Sequence, residues 1–414
     1  MTSSNYVVRH VDAALDTLLT ELPAIMLTGP RACGKTTTAE RRAKSVLRLD
    51  RGDVATAFLA APDAVLAAQP LPVLVDEWQR ADGSMGAIKR AVDTGQGPGR
   101  YLITGSVRSR LSKARWPVTG RVVPLKMYGL TVAEAEGTTV AADTVVARLF
   151  GDVDPVPGTL RDAPDLLEYV ADIVRGGFPE AIGLSSYARG LWYAGYVEQL
   201  ARHDVADLDT VRSPQGLIDL LRAVALNTAG LPAVQSLAQA AGLDHRTVVA
   251  YLDLLEDLGI IQRVRAWSSN KLTRLVKTPK YHVIDTGLAA HLSGDDAAGI
   301  LQSGDRLGRL MDSFVLSQLR PLLAFANPPV AVYHLRDGNG QREVDLVLES
   351  AAGDIVGIEV KAANAVTMKA AKHLMWLRDQ LGARFRRGIV LHTGAMIYPL
   401  SERVWAMPVA ALWR

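Results

Sequence analysis

The chain has 414 residues, enough for about two to four domains. It is 49% hydrophobic and 21% charged, with 46 basic against 43 acidic residues, which excludes a global positive field drawing it onto nucleic acid. The single cysteine, Cys33, excludes an intramolecular disulfide and argues against a zinc cluster. With no signal pattern and no apolar run of about 18 residues, the expectation is a cytoplasmic protein without a membrane partner.

The first predicted element is a helix over Val11 to Leu22, whose apolar residues recur at helical spacing. Ala24 to Thr28 follows as a short apolar run, as a buried parallel strand should be. Then comes Gly29-Pro30-Arg31-Ala32-Cys33-Gly34-Lys35-Thr36, with Thr37 opening a predicted helix to Lys44. This is the nucleotide-binding P-loop pattern. Gly29 and Gly34 allow the tight turns that aim backbone N–H groups at phosphate oxygens. Lys35 supplies a point charge for the β- and γ-phosphates, and the Thr36 hydroxyl is placed to ligate Mg²⁺. Residues 29–37 are therefore the expected cofactor site, with ATP and Mg²⁺ as the cofactors.

About 40 residues on, Val73-Leu74-Val75 runs into Asp76 and Glu77, the form of a Walker B strand. Asp76 is expected to hold Mg²⁺ with Thr36, and Glu77 to act as the general base on water. A third strand, Arg100 to Ser106, ends in hydroxyls: Thr104 and Ser106 are candidates to sense the γ-phosphate or simply cap the strand end.

Alternating strands and helices over residues 1–130 predict a parallel sheet with helices on both faces. Residues 137–164, rich in Gly, Asp, Thr and Pro, read as a linker or mobile insertion. Residues 131–212 are assigned to this linker and a helical lid, with helices interrupted at Gly176-Gly177-Phe178-Pro179. From 213 to 295 the pattern is helix, turn, helix, then a basic two-stranded hairpin, which describes a winged helix. Asp244 caps its second helix, Gly259 closes it, and His245, Arg246, Lys271, Arg274, Lys277 and Lys280 form the expected phosphate-contacting surface. DNA and a protein are both open as its partner.

The last region, 296–414, returns to α/β, with strands expected at Val330–Leu335, Glu343–Leu348, Ile355–Val360 and Gly388–Leu391. Asp345 lies on one of these strands, and Glu359 and Lys361 share one face of the next. Two carboxylates and a lysine at a strand edge can hold one or two Mg²⁺ and activate water against a phosphodiester; on spacing alone they can equally be solvated charges.

These segments together resemble the bacterial and archaeal AAA-type ATPases that carry a C-terminal domain of unknown function, DUF4143. The shared residues are the loop 29–36, Asp76-Glu77-Trp78-Gln79, Thr104-Gly105-Ser106, Gly120-Arg121, Arg175 to Glu180, Pro279-Lys280-Tyr281, Asp285-Thr286-Gly287, Glu343-Val344-Asp345 and Glu359-Val360-Lys361. The resemblance implies an α/β protein with a RecA-like P-loop core, a helical lid, a winged helix and a restriction-endonuclease-like terminal domain. It also implies Arg121 as a basic residue that senses or completes a nucleotide site, from a neighbouring subunit if the chain forms a homo-oligomer. Where the family has a glutamate opening the last domain, this chain has the shorter Asp312. Three functions follow as expectations: an ATP-driven switch acting on a nucleic-acid or protein partner, an ATP-regulated DNA nuclease, and a non-catalytic, antitoxin-like binder.

Overall fold

In the computed structural model, the described residues are 6–105, 118–204, 213–270, 274, 277–337 and 340–414. Strands β1 (Ala24–Thr28), β2 (Ser45–Arg48), β3 (Val73–Asp76), β4 (Tyr101–Thr104) and β5 (Val123–Lys126) form a parallel sheet in the order β2-β3-β4-β1-β5. Alternation divides each central strand between two cores. Ala24, Met26, Val73, Val75, Tyr101 and Ile103 pack with Phe58, Leu66 and Ile88 on one face. Ile25, Leu27, Leu74 and Leu102 pack with Val11 and Leu15 of the first helix (His10–Leu19) on the other. Strands buried on both faces must be apolar throughout, as these are. Because β4 lies between β1 and β3, the carboxyl ends of all three meet at one edge, where open parallel sheets bind ligands.

The helix after the P-loop stops at Glu40 rather than Lys44, because the chain turns to deliver Lys44 N–H to Pro72 O at 2.7 Å and begin β2. The stretch 137–164, expected to be a linker or mobile insertion, contains regular structure. It carries the helix Ala142–Phe150, which buries Val145 and Leu149, and strand β6 (Gly158–Thr159). Buried Arg387 holds its backbone at Gly151 O (3.1 Å) and Val153 O (2.7 Å), contacts that no local pattern announces.

Helices Leu166–Arg175, Pro179–Ile182 and Ser186–Gln199 follow. Next come Pro214–Leu226, Val234–Ala241 and His245–Asp257, then the antiparallel pair β7 (Ile261–Val264) and β8 (Lys280–Val283). Asp244 caps the third of these helices through the N–H groups of Arg246 and Thr247.

The long helix Gly304–Phe325 leads into β9 (Ala331–Arg336), β10 (Glu343–Glu349), β11 (Ile355–Lys361), β12 (Phe385–His392), β13 (Met396–Ser401) and β14 (Val404–Pro408). With β6 they form a seven-stranded mixed sheet, β6-β13-β14-β12-β11-β10-β9. One continuous core runs from Val132 through Leu220, Tyr251 and Phe314 to Trp413, so the middle helices share apolar packing with one face of the terminal sheet, while its other face packs separately around Val347, Leu374 and Phe385. Among the described residues no helix is long and apolar enough to cross a membrane.

Candidate functional site

The P-loop leaves β1 at Gly29, whose φ is +142° and where an added Cβ would sit 2.4 Å from Met127 O. No side chain fits there. Positive φ at Ala32 and Gly34 turns the intervening N–H groups inward, and Gly34 starts the helix Lys35–Glu40. Lys35 Nζ donates to Gly29 O (3.1 Å) and Pro30 O (2.7 Å), which curls its ammonium over the loop.

Sheet order brings the second element to the first. Thr36 Oγ1 donates to Asp76 Oδ1 at 2.8 Å, across 40 residues of sequence. The Thr104 hydroxyl bonds to the same carboxylate oxygen, while Arg48 lies 3.7 Å from the other. Thr104 is 1% exposed and, like Asp76, lies outside the lining of the adjacent cleft, where its hydroxyl orients the Asp76 carboxylate. Ser106 lies outside the described residues. Glu77 takes the left-handed conformation, φ +52°, which turns its side chain from the strand into the cleft, where the Gln79 amide donates to its Oε2. A left-handed glutamate costs about 1–2 kcal/mol, strain that functional sites commonly hold.

The cleft has a volume of about 720 Å³. Arg31, Ala32, Gly34 to Thr37, Glu77 and Arg80 line one side, and Pro179, Trp192 and Tyr196 line the other. Arg121, by contrast, is outside this lining and pairs with Asp93 at 2.6 Å. Exposed Arg80 lines the cleft together with Glu77 and Arg31, and sequence reasoning overlooked it.

Sequence reasoning also missed the braces. Arg9, ahead of the first helix, donates to Cys33 O in the P-loop (2.9 Å) and to Tyr128 O (2.7 Å), and pairs with buried Glu134 at 3.2 Å. Asp285 accepts from Gly177 N–H (2.6 Å), Leu288 N–H (2.7 Å) and the Tyr193 hydroxyl (2.9 Å). Burial pushes the Asp285 carboxyl above its ordinary range despite these donors. A Cβ at Gly177 would lie 2.4 Å from Leu130 O, so the Gly176-Gly177 pair exists for close backbone packing where the core meets the next helices.

The terminal carboxylates converge as the hairpin reading expected, with Leu346 opposite Ile358. Lys361 Nζ lies 2.8 Å from Glu359 and 3.8 Å from Asp345. Their surroundings differ from expectation. Lys280 of β8, assigned by sequence to a phosphate-contacting wing, is 2% exposed and lies 3.3 Å from Asp345 and 2.9 Å from Glu343. Burial opposes its charge, but Asp345, Asp312 and Glu343 together raise its pKa.

Glu359 is likewise buried, because helix Lys372–Leu381 covers its face of the sheet. Burial, with the Asp345 charge adding, pushes its carboxyl up to about 8. Burial and Asp345 hold Asp312 well above the carboxylate range, whereas Lys280 and Lys361 overcome burial and hold Asp345 below it. Asp345 Oδ2 also accepts the Val360 N–H at 3.0 Å. Among the described residues no group of three or more His, Cys, Asp or Glu side chains is disposed to hold a metal ion. Asp345 and Glu359, the candidate metal ligands, are brought together with Lys361 and Lys280 in a buried carboxylate–lysine lattice, with Asp312 nearby. Arg274, also assigned to the wing, is buried against Glu349, and Lys271 lies outside the described residues. His245 and Arg246 are exposed as expected.

Residues 21–136 match the model of an AAA domain, and residues 307–412 match the domain of unknown function DUF4143. The chain is an AAA-type protein with a C-terminal DUF4143 domain. In this AAA–DUF4143 protein, residues 166–299, which form the second wall of the cleft and the three-helix unit, match a further domain of unknown function, DUF8612. Uncharacterized proteins of Mycobacterium bovis and Mycobacterium tuberculosis are each 28% identical to it over 406 residues, covering 97% of this chain and 83% of theirs. A Walker-type ATPase of Pyrococcus abyssi matches 68% of the chain and 94% of its own, at 14% identity and a TM-score of 0.39.

Proposed function

We propose that this AAA–DUF4143 protein is a Mg²⁺-dependent ATPase whose nucleotide state repositions its outer domains on a partner. The observation that carries the reading is the shared hydrogen bond of Thr36 and Asp76 at the foot of a cleft lined by the P-loop and Glu77. Two oxygen ligands 2.8 Å apart suit a hard divalent cation, so Thr36 and Asp76 would hold Mg²⁺. Bound there, the ion would neutralise phosphate charge. Loop N–H groups and Lys35 bind the β- and γ-phosphates. Glu77, its carboxylate oriented by Gln79, accepts the proton of the attacking water, and Arg80 offers positive charge in the same cleft.

Because the two cleft walls belong to different domains, nucleotide bound between them favours the closed arrangement. The second wall shares a core with the terminal domain, which would carry the movement outward. Exposed His245 and Arg246, at the start of a helix in a winged-helix-like unit, support a nucleic-acid or protein surface there. The nuclease alternative is the weaker one, since Lys280 and Lys361 already neutralise Asp345. Phosphate release from ATP, with and without DNA, tests the proposal alongside Lys35→Ala. Turnover lost in the variant supports it, and turnover that survives refutes it. Stimulation by DNA selects the nucleic-acid partner.

A further inference from the structure

The outer wall of the cleft has an arrangement that phosphate chemistry does not use. Helix Ser186–Gln199 turns Trp192, Gly195, Tyr196 and Gln199 toward the P-loop, the i, i+3, i+4 stripe of one helix face. The Trp192 and Tyr196 rings stack at 5.3 Å with 20° between their planes. Phe178 tilts against them at 5.2 and 4.9 Å. The pair is half-buried, packed on one side and open to the cleft on the other. Gly195 lies between them in the helix, where an added Cβ would meet nothing within 4 Å. Glycine inside a helix is destabilising relative to alanine, and here no neighbour requires it. Its effect is to keep the cleft clear beside the two rings.

We propose that Trp192 and Tyr196 are the platform on which the base of the bound nucleotide stacks, with the Gly195 gap admitting the ring edge. The inference rests on the P-loop reading and deepens it. The ligand is a nucleoside triphosphate whose phosphates lie on the core and whose base lies on the 166–299 domain, so that the nucleotide itself joins the two walls. Stacking tolerates any base, and Gln199 and Glu180, which also line the cleft, supply hydrogen-bonding groups for the base edge.

The test is equilibrium binding, by calorimetry, of ATP and of inorganic tripolyphosphate to the full chain and to Trp192→Ala, Gly195→Leu and Lys35→Ala. Loss of base stacking weakens ATP by roughly 5- to 150-fold in Trp192→Ala and leaves tripolyphosphate unchanged. Gly195→Leu, which fills the gap, has the same selective effect on ATP. If both variants bind ATP as the wild type does while Lys35→Ala does not, the platform is wrong and the P-loop reading stands. If Lys35→Ala still binds ATP, the P-loop reading fails first. A Trp192→Ala chain that loses both ligands is misfolded, and Gly195→Leu then decides.

Discussion

Replacing Glu134 by glutamine should loosen the P-loop without touching it. Arg9 joins the two: its Nε pairs with Glu134 at 3.2 Å and its Nη1 holds Cys33 O at 2.9 Å, with both side chains under a tenth exposed. Glu134 also accepts the His10 N–H (2.7 Å) and the Thr131 N–H (2.7 Å). Glutamine keeps the volume and one acceptor, but it removes the charge and sets an NH₂ against a donor. Breaking a buried pair costs about 3–5 kcal/mol, and the conservative change belongs at about 3. That corresponds to a roughly 150-fold larger population of the opened loop. Cys33 reports it directly, because it is the only thiol in the chain and is fully buried within the loop. Its rate of modification by Ellman's reagent follows the open population when reclosing outpaces reaction. A Glu134→Gln rate within about threefold of wild type would refute the argument that Arg9 braces the loop through this pair.

Glu77→Gln should retain ATP binding but lower turnover by roughly 10²- to 10⁴-fold, the usual contribution of a general base. Single-turnover phosphate release, with binding measured in parallel, reads both effects. Lys280→Ala leaves Asp345 and Glu343 without their buried partner and should destabilise the chain by about 3–5 kcal/mol in urea unfolding. An unchanged midpoint would mean that the lattice contributes nothing. Incubation of the wild type with Mn²⁺ and DNA should give no cleavage, and products that disappear in Lys361→Ala would restore the nuclease reading.

Glu359 makes stability depend on pH. Its carboxyl is raised from 4.5 to about 8, so the fold binds its proton more tightly than the unfolded chain does. The resulting stabilisation is complete below the unfolded pKa and is lost as pH rises through about 8. Glu359→Gln should therefore gain on the wild type in unfolding midpoint between pH 5 and pH 9; a constant gap counts against the assignment.

Strand, P-loop and helix were legible in the sequence because every determinant lies within the stretch from Ala24 to Glu40: an apolar run, two glycines with positive φ, then Lys and Thr. The Walker B strand and the β10–β11 hairpin were legible for the same reason, since period-two alternation and a short turn are local. Tertiary structure alone decided where the charges go. The sequence pattern of Lys280, a basic residue in a predicted hairpin, is the same whether it faces phosphate or is buried beside Asp345, 65 residues on. Arg9 and Glu134 are 125 residues apart, and Tyr196 meets Arg31 across 165. Such contacts depend on how whole layers stack, and periodicity within a segment reports which face is apolar, not what that face meets. The order β3-β4-β1, which carries Asp76 to Thr36, is likewise a property of the assembled sheet: many strand orders bury the same residues, and burial alone does not select the one that aligns that carboxylate with that hydroxyl.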